Sequence, residues 1–333
     1  MFSFSFFWRK KKVDIKKEKR NVSNLALGIA SILIFTALAQ IVAMEILFLV
    51  APSLLDSMVV SITINSITMY CIAMPLSMLF FKQCDVSPIE GKKLGFGTMI
   101  GVIAISCALT YIGSIIGQFI GELTSEIMGN AATNPVEETV SVIPPWAILL
   151  FVVILAPIFE EIFFRKVVID RLRRYGDLPA IIISGVVFGV IHGNFSQFFY
   201  AAMLGILFGA VYIHTGKLRH TIFLHMFINF MGSFYTTMMI DQFGGEIPLE
   251  ITEEIIAKYP VGYSMMTGYS MLYSISFLVA IPALIGFVRK VKLQKGCVEL
   301  TAAEGRKVAL WNLGVWVSAL FLIANFAMSM IYA

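Results

Sequence analysis

The chain alternates long apolar runs with short polar connections, a pattern that predicts membrane-spanning helices. Most of the runs reach about 20 residues, the length at which an α-helix crosses the hydrocarbon core of a bilayer. We therefore predict an all-α fold, a polytopic membrane helical bundle of about nine transmembrane helices. The runs cover residues 23–50, 57–81, 94–120, 146–169, 178–193, 196–214, 221–240, 263–288 and 308–332.

The composition agrees with a membrane protein. Of the 333 residues, 58% are hydrophobic and 14% are charged, and the mean hydropathy is +0.85. Soluble domains contain about 25% charged residues, so we predict a multi-pass protein of the cell membrane with no separate soluble domain. The chain divides into a basic and aromatic N-terminal arm, N-terminal helices, a central core and C-terminal helices. These cover residues 1–22, 23–120, 146–240 and 263–332.

Lysine and arginine residues collect in every second connection. Basic connections of membrane proteins face the cytoplasm, so the N-terminus is predicted to be cytoplasmic and the C-terminus to lie outside. The long intervening connections, 121–145 and 241–262, are acidic and contain a single base, Lys258. The basic groups lie at 9–20, 82–93, 166–174, 217–219 and 289–307.

The N-terminal arm carries eight lysine and arginine residues between Arg9 and Arg20. Such a run beside a span contacts anionic lipid more often than nucleic acid. We therefore predict anionic lipid as a partner of the arm, and no nucleic acid. The cysteines form no C-x-x-C pair, which argues against a zinc ribbon or a disulfide framework. They are Cys71, Cys84, Cys107 and Cys297.

Two adjacent carboxylates, Glu160 and Glu161, lie inside the fourth apolar run. A charged side chain at this depth costs roughly 2.5–3.5 kcal/mol on insertion scales, so it indicates a function or an ion pair. Arg165 follows Glu161 by four residues and shares its helix face. Adjacent helical residues point about 100° apart, so one glutamate can face a cavity while the other faces a neighbouring helix. A purely structural ion-pair network is the alternative interpretation.

Three more polar side chains occur in later spans. His192 follows Phe188 by four residues, and Asn229 follows His225 by four, so each pair shares one helix face. From the helical rise of about 1.5 Å per residue, we expect Glu161, His192 and Asn229 to reach the middle zone of the bilayer and His225 to lie nearer the cytoplasmic side. We predict that they share one water-containing cavity that opens to the cytoplasm.

The order of these motifs resembles that of a known family. E-E-x-x-x-R at 160–165, F-x-x-x-H at 188–192 and H-x-x-x-N at 225–229 resemble the motifs of the CPBP intramembrane proteases. This family includes the type II CAAX prenyl endopeptidases and the bacterial abortive-infection and bacteriocin-immunity proteins. The resemblance covers about 146–240 and leaves the flanking spans without a counterpart.

The resemblance implies a catalytic role for Glu160, Glu161, Arg165, His192, His225 and Asn229. Glu160 and His192 would activate the attacking water. Glu161 would support the site through Arg165. His225 and Asn229 would stabilise the oxyanion of the tetrahedral intermediate, which requires preorganised donors.

Metal dependence is left open by the residues. The sequence contains no H-E-x-x-H motif, whereas two histidines and a glutamate could bind zinc. If a metal is present, its ligands would be Glu160, His192 and His225. We favour a mechanism that requires no cofactor, because oxyanion donors account for His225 and Asn229 without further ligands.

The function predicted from the sequence is hydrolysis of a peptide bond in a membrane-associated or lipid-anchored peptide or protein. The alternative is a non-catalytic membrane scaffold, or an immunity or regulatory protein, that binds peptides or a membrane sensor. A proton-coupled transporter is a third interpretation, since buried Glu and His can relay protons. The clustering of the polar residues in three spans argues against it.

Overall fold

The computed structural model describes residues 13–129 and 135–331. Within these ranges the protein is helical and contains no strand, and the only β-type pairing is an isolated bridge between Gly176 and Lys295. The prediction of an all-α bundle is thus confirmed. The helices are α1 (Ile15–Val50), α2 (Met58–Phe81), α3 (Phe96–Met128), α4 (Pro135–Val142), α5 (Pro145–Tyr175), α6 (Asp177–Ile191), α7 (Phe195–Thr215), α8 (Leu218–Asn229), α9 (Thr236–Gln242), α10 (Glu253–Lys258), α11 (Pro260–Val288), α12 (Ala302–Ala309) and α13 (Leu313–Ile331).

Several helices contain wider π-helical turns. In α2 these turns cover Ile67–Ala73, and in α5 they cover Ile148–Leu155 and Ile162–Ile169. A further π-helical segment, Phe230–Tyr235, joins α8 to α9. The two segments in α5 flank the glutamate pair, so the pair lies on a short α-helical stretch between irregular turns. π-Helical turns occur frequently at functional sites.

Among the described residues, six helices are long and apolar enough to cross a membrane, and seven if α12 and α13, which are bent by 58°, count as one span. The protein is therefore a multi-pass membrane protein, but the predicted number of nine spans is not confirmed. Helix α6 shows the difference most clearly, because it was predicted to be a span but has only 15 residues. At about 1.5 Å per residue it is about 22 Å long, shorter than the hydrocarbon core of about 30 Å.

The basic connections meet at one end of the bundle. Backbone hydrogen bonds join the connection after α2 to the end of α7, from Lys92 to His214 at 2.8 Å, and the segment after α11 to the start of α6, from Asp177 to Gln294 at 3.1 Å. We call this the basic end, and the opposite end, with the connection between α9 and α11, the acidic end. This arrangement agrees with the alternation of basic and acidic connections in the sequence.

The predicted N-terminal arm ends earlier than expected. Its initial part, 1–12, lies outside the described residues. Helix α1 already begins at Ile15, where the Asp14 side chain caps the helix by accepting from the backbone N–H groups of Lys16 and Lys17. Glu18 is buried and pairs with Arg174 of α5 at 2.8 Å. The second part of the arm is therefore part of the folded bundle.

Close packing of α6 against α7 positions the site. A Cβ atom added at Gly185 of α6 would lie 2.6 Å from the backbone nitrogen of Ile206, and one at Gly205 of α7 would lie 2.8 Å from the Cα atom of Gly185. Only glycine permits so close an approach of the two backbones. The contact fixes the end of α6, and hence His192, relative to α7.

Candidate active site

Glu161 and Arg165 form a buried ion pair inside α5. The Arg165 Nε atom donates to Glu161 Oε2 at 2.8 Å and its Nη2 atom donates to Oε1 at 3.2 Å, with both side chains fully buried. Nη1 of Arg165 donates to the Ser184 hydroxyl of α6 at 3.2 Å. This geometry agrees with the i,i+4 pair predicted from the sequence. A two-pronged, charge-assisted contact of this kind holds the carboxylate in a fixed orientation.

Glu160 points in a different direction from Glu161, and its side chain is 18% exposed. The hydroxyl of Tyr70 in α2 donates to Glu160 Oε1 at 3.4 Å. The Tyr70 ring stacks on Phe159, with the ring centroids 4.7 Å apart and the planes nearly parallel. Phe159, which directly precedes Glu160, thus holds the Tyr70 ring in place so that its hydroxyl contacts Glu160.

His225 of α8 lies between the two glutamates. Its Nδ1 atom is 3.2 Å from Glu161 Oε1, and its Nε2 atom is 3.9 Å from Glu160 Oε2. Because an ionised carboxylate only accepts hydrogen bonds, the contact with Glu161 assigns a proton to Nδ1. The Nε2 atom is then directed toward Glu160.

His192 follows the last residue of α6. Its Nδ1 atom is 2.7 Å from the Phe188 carbonyl oxygen, so Nδ1 carries the proton and donates. In the neutral imidazole, Nε2 is therefore an acceptor. The Phe188 ring packs edge-on against both imidazoles, at 4.9 Å from His192 and 5.7 Å from His225. The spacing of four between Phe188 and His192 thus fixes both the tautomer and the position of the histidine.

Asn229 of α8 donates one amide N–H to the carbonyl oxygen of Val152 at 2.9 Å. The Ser233 hydroxyl donates in turn to the backbone carbonyl of Asn229. An asparagine amide has two N–H groups, so the second N–H of Asn229 is available to a ligand.

These groups share one cavity with a volume of about 680 Å³. We call Glu160, His192, His225 and Asn229, which all line the cavity, the polar cluster. They come from α5, α6 and α8, as expected from the sequence. Glu161 and Arg165 do not line it and lie behind the cluster, packed among the helices.

The opening of the cavity toward the cytoplasm stays a prediction. Leu204 and Phe208 of α7, which lie toward the basic end, are buried, with 3% and 0% of their surface exposed. The exposed lining residues include Asn65 of α2 and Gln118 of α3, which lie toward the acidic end, and Tyr111 and Ile115 of α3, which lie nearer the depth of the polar cluster.

The possible metal ligands named from the sequence are not brought together into a metal-binding site in the described part of the chain. Among the described residues, no group of three His, Cys, Asp or Glu side chains is placed so that it could hold a metal ion. Glu160 Oε2 and His225 Nε2 approach each other to 3.9 Å, and the Nδ1 atom of His225 contacts Glu161. Glu160, His192 and His225 thus do not form such a group, and a mechanism without a cofactor stays a prediction.

Sequence reasoning missed three polar side chains around the cluster. Tyr70 and Ser184 contact Glu160 and Arg165, respectively, as described above. Tyr200 of α7 lines the cavity and accepts a hydrogen bond from the Gln197 amide at 3.2 Å. Each is a polar residue within an apolar run, which is a weak signal by itself. Tyr70 precedes Glu160 by 90 positions, so sequence spacing could not pair them.

The comparisons with known proteins point to the same region. Residues 142–231 match the sequence model of the family described as type II CAAX prenyl endopeptidase Rce1-like. The chain is 26% identical over 137 residues to the putative membrane peptidase YdiL of Bacillus subtilis (strain 168), covering 37% of this chain and 55% of that protein. It is 28% identical over 144 residues to the membrane-embedded CAAX protease MroQ of Staphylococcus aureus (strain USA300), covering 41% and 53%.

The chain thus spans about half the length of the curated relatives that it matches. No solved structure matches it significantly. The matched segment contains every member of the polar cluster together with Glu161 and Arg165. Residues 142–231 of this chain are therefore similar to the type II CAAX prenyl endopeptidase Rce1-like family.

Proposed function

We propose that the protein is an intramembrane endopeptidase that cleaves a membrane-associated or lipid-anchored peptide with water activated by Glu160 and His192. The observation that carries the proposal is the convergence of a carboxylate, two imidazoles and an amide from three helices on one cavity. The matched family and both relatives are described as peptidases or proteases, which supports the same reaction class.

Glu160 acts as the general base. Its side chain is the carboxylate that lines the cavity, whereas Glu161 is saturated by Arg165 and His225. A water bound between Glu160 and Nε2 of His192 transfers a proton to the carboxylate as its oxygen attacks the carbonyl carbon. The same proton then passes to the leaving amine. General bases of this kind contribute typically about 10²–10⁴-fold to a rate.

Asn229 and His225 stabilise the oxyanion. Asn229 is oriented by Val152 and donates its second N–H to the developing negative charge. His225 donates from Nε2 in its doubly protonated form, since Nδ1 already donates to Glu161. Loss of a single donor of this type typically reduces kcat by about 10²–10³-fold.

Cleavage by the reconstituted protein tests the proposal. Full-length protein in liposomes is incubated with a set of membrane-tethered peptides, and products are identified by mass spectrometry. We expect cleavage by the wild type that is lost in His192→Ala. The matched control is His220→Ala, because His220 lies at the start of α8 and does not line the cavity.

The outcomes separate the competing functions. Cleavage that persists in His192→Ala contradicts the proposed mechanism. A wild type that binds these peptides but cleaves none of them contradicts the peptidase and favours the non-catalytic scaffold. Cleavage that is lost on treatment with a chelator and restored by zinc contradicts the metal-free form of the proposal.

A further inference from the structure

A chain of side-chain hydrogen bonds runs from the end of α6 into the cavity. Asn194, which caps the start of α7, donates one amide N–H to the carbonyl oxygen of His192 at 2.9 Å and the other to Gln197 Oε1 at 2.8 Å. Its Oδ1 atom accepts from the backbone N–H of Gln197 at 2.9 Å. Because both amide hydrogens and the oxygen of Asn194 have partners, the orientation of this amide is fixed.

The chain of hydrogen bonds ends at the hydroxyl of Tyr200. Since Gln197 accepts through Oε1, its Nε2 atom is the donor, and it donates to the Tyr200 hydroxyl oxygen at 3.2 Å. A phenol both accepts and donates, and it keeps its proton at neutral pH. In the described part of the chain, no acceptor is found for the Tyr200 hydroxyl hydrogen. This hydrogen is therefore left for a group that enters the cavity, which Tyr200 lines.

The backbone of Tyr200 is held as firmly as its hydroxyl. A Cβ atom added at Gly113 of α3 would lie 2.5 Å from both the nitrogen and the Cα atom of Tyr200, so the two helices approach each other closely at this point. Tyr200 also lies near enough to Glu160 for the two side chains to interact electrostatically. The unused donor thus has a fixed position beside the carboxylate that is proposed to activate water.

The unused donor matches one feature of a peptide that is about to be cleaved. The backbone must be unwound at the scissile bond, so its N–H and C=O groups lose their helical partners. Unpaired backbone groups are costly inside a membrane unless the protein satisfies them. Tyr200 offers a donor, and a carbonyl oxygen is the backbone group that accepts. The hydroxyl of Tyr70 already donates to Glu160 and does not compete for this role.

We infer that Tyr200 is a substrate-binding residue, whose hydroxyl donates a hydrogen bond to a backbone carbonyl oxygen of an unwound peptide in the cavity. Gln197 and Asn194 are positioning residues that orient this hydroxyl. The inference rests on the proposed function for the peptide as ligand. A contact of this kind is made before and during the attack of water, so its loss raises KM and leaves kcat unchanged.

The experiment measures peptide binding by a protein in which cleavage is blocked. Full-length Glu160→Gln protein in detergent micelles is titrated against an acylated ten-residue peptide of alanine and leucine that carries a fluorophore. Kd is obtained from fluorescence anisotropy, with protein-free micelles as the blank. A second series of the same peptide replaces one backbone carbonyl oxygen at a time by sulfur, which is a weaker acceptor.

Tyr200→Phe in this background keeps the ring and should raise Kd about five-fold, the effect of one neutral hydrogen bond. One of the sulfur-substituted peptides should bind the parent more weakly and lose this disadvantage in Tyr200→Phe, because the effects of two groups in contact are not additive. The matched control is Tyr212→Phe. Tyr212 lies on the same helix, donates to Asp170 at 3.0 Å and does not line the cavity. Its variant should have a lower unfolding temperature and an unchanged Kd.

An unchanged Kd in Tyr200→Phe overturns the inference. So does a parent protein that binds none of the peptides, or a series in which no sulfur substitution is coupled to Tyr200. These readouts do not depend on catalysis. The expected coupling in a protein whose wild type cleaves no peptide contradicts the proposed function and leaves the binding role of Tyr200 intact. Cleavage by the wild type with an equal KM in Tyr200→Phe supports the proposed function and overturns the inference.

Discussion

At the scale of single residues, the two adjacent glutamates have different environments. Glu161 is enclosed by Arg165 and His225, whereas Glu160 faces the cavity, where it contacts Tyr70 and, at 3.9 Å, His225. The sequence predicted this division from the turn of about 100° between neighbouring helical positions. Helix geometry alone could not predict which glutamate faces the cavity, because that depends on the neighbours of α5 in space, whereas the family resemblance implied Glu160.

Glu161→Gln should damage the fold more than Glu160→Gln. Removing the Glu161 charge leaves Arg165 buried without a counter-charge, and breaking a buried pair in this way costs about 3–5 kcal/mol. Glu160→Gln leaves no buried cation unpaired. The midpoint of thermal unfolding in detergent, measured for both variants, checks this difference. Equal midpoints would contradict the structural assignment of Glu161.

Tyr70→Phe should slow peptide hydrolysis without weakening substrate binding. The variant keeps the ring that stacks on Phe159 but loses the hydroxyl that orients Glu160. Loss of one such hydrogen bond corresponds to about 1 kcal/mol, or roughly a five-fold lower kcat with KM unchanged. Tyr70→Leu, which loses ring and hydroxyl, should also lower the unfolding temperature. Wild-type kcat in Tyr70→Phe would show that Tyr70 is only a packing residue.

At the scale of helices, the site depends on how closely α6 and α7 approach. The glycines at this contact permit the close approach of the two helices. The positions of the glycines in the sequence did not predict that α6 and α7 pack this closely. The consequence is that a small change more than one helical turn away from His192 can move the imidazole.

Gly185→Ala should therefore reduce both stability and activity. Its methyl group would lie 2.6 Å from the backbone nitrogen of Ile206 in α7, and overpacking of this kind costs typically about 1–3 kcal/mol. The control is Gly286→Ala in α11, where nothing lies within 4 Å of the added carbon and helix propensity favours alanine by up to about 1 kcal/mol. Thermal unfolding and peptide cleavage measure both variants. A neutral Gly185→Ala would contradict the close contact.

A second contact between elements fixes α1 at the basic end. Arg174 of α5 pairs with Glu18 of α1 and with Asp85 in the connection after α2, and Lys17 also reaches Asp85 at 3.2 Å. Hydrogen bonds from Arg174 and then Lys17 lower the pKa of Asp85 below its ordinary value of 3.8. Because the pKa is lowered in the folded state, Asp85 stabilises the protein above a pH of about 4. This contribution is lost as the pH falls through the lowered value.

Asp85→Asn should consequently lower the unfolding temperature slightly at pH 7, and the difference from wild type should shrink as the pH falls toward the lowered pKa of Asp85. The effect is small because the Asp85 side chain is 58% exposed. Glu18→Gln, which breaks a buried contact with the same arginine, should cost more, about 3 kcal/mol. Unfolding temperatures of the wild type and of both variants at pH 7 and pH 3 measure these differences. A difference for Asp85→Asn that grows on acidification would contradict the assignment.

At the scale of the whole molecule, the sequence predicted the fold class and the set of polar residues but not the shape around them. Apolar length and basic connections identified helices and their alternation, since both follow from local composition. The predicted number of nine spans is not confirmed, and α6 is the clearest case, because this helix of 15 residues is shorter than the hydrocarbon core. The shape of the cavity depends on which side chains pack around it, and Phe208 and Leu204 are ordinary apolar residues in the sequence.

The most direct test of the account is the rate of peptide hydrolysis by Glu160→Gln. Wild type and variant are reconstituted at equal amounts, with equal unfolding temperatures as evidence of an intact fold, and the same membrane-tethered peptide is followed by mass spectrometry. If Glu160 is the general base, the variant should lose at least about 10²-fold in rate. Hydrolysis by Glu160→Gln at the wild-type rate would contradict the central claim that the cavity-facing carboxylate activates water.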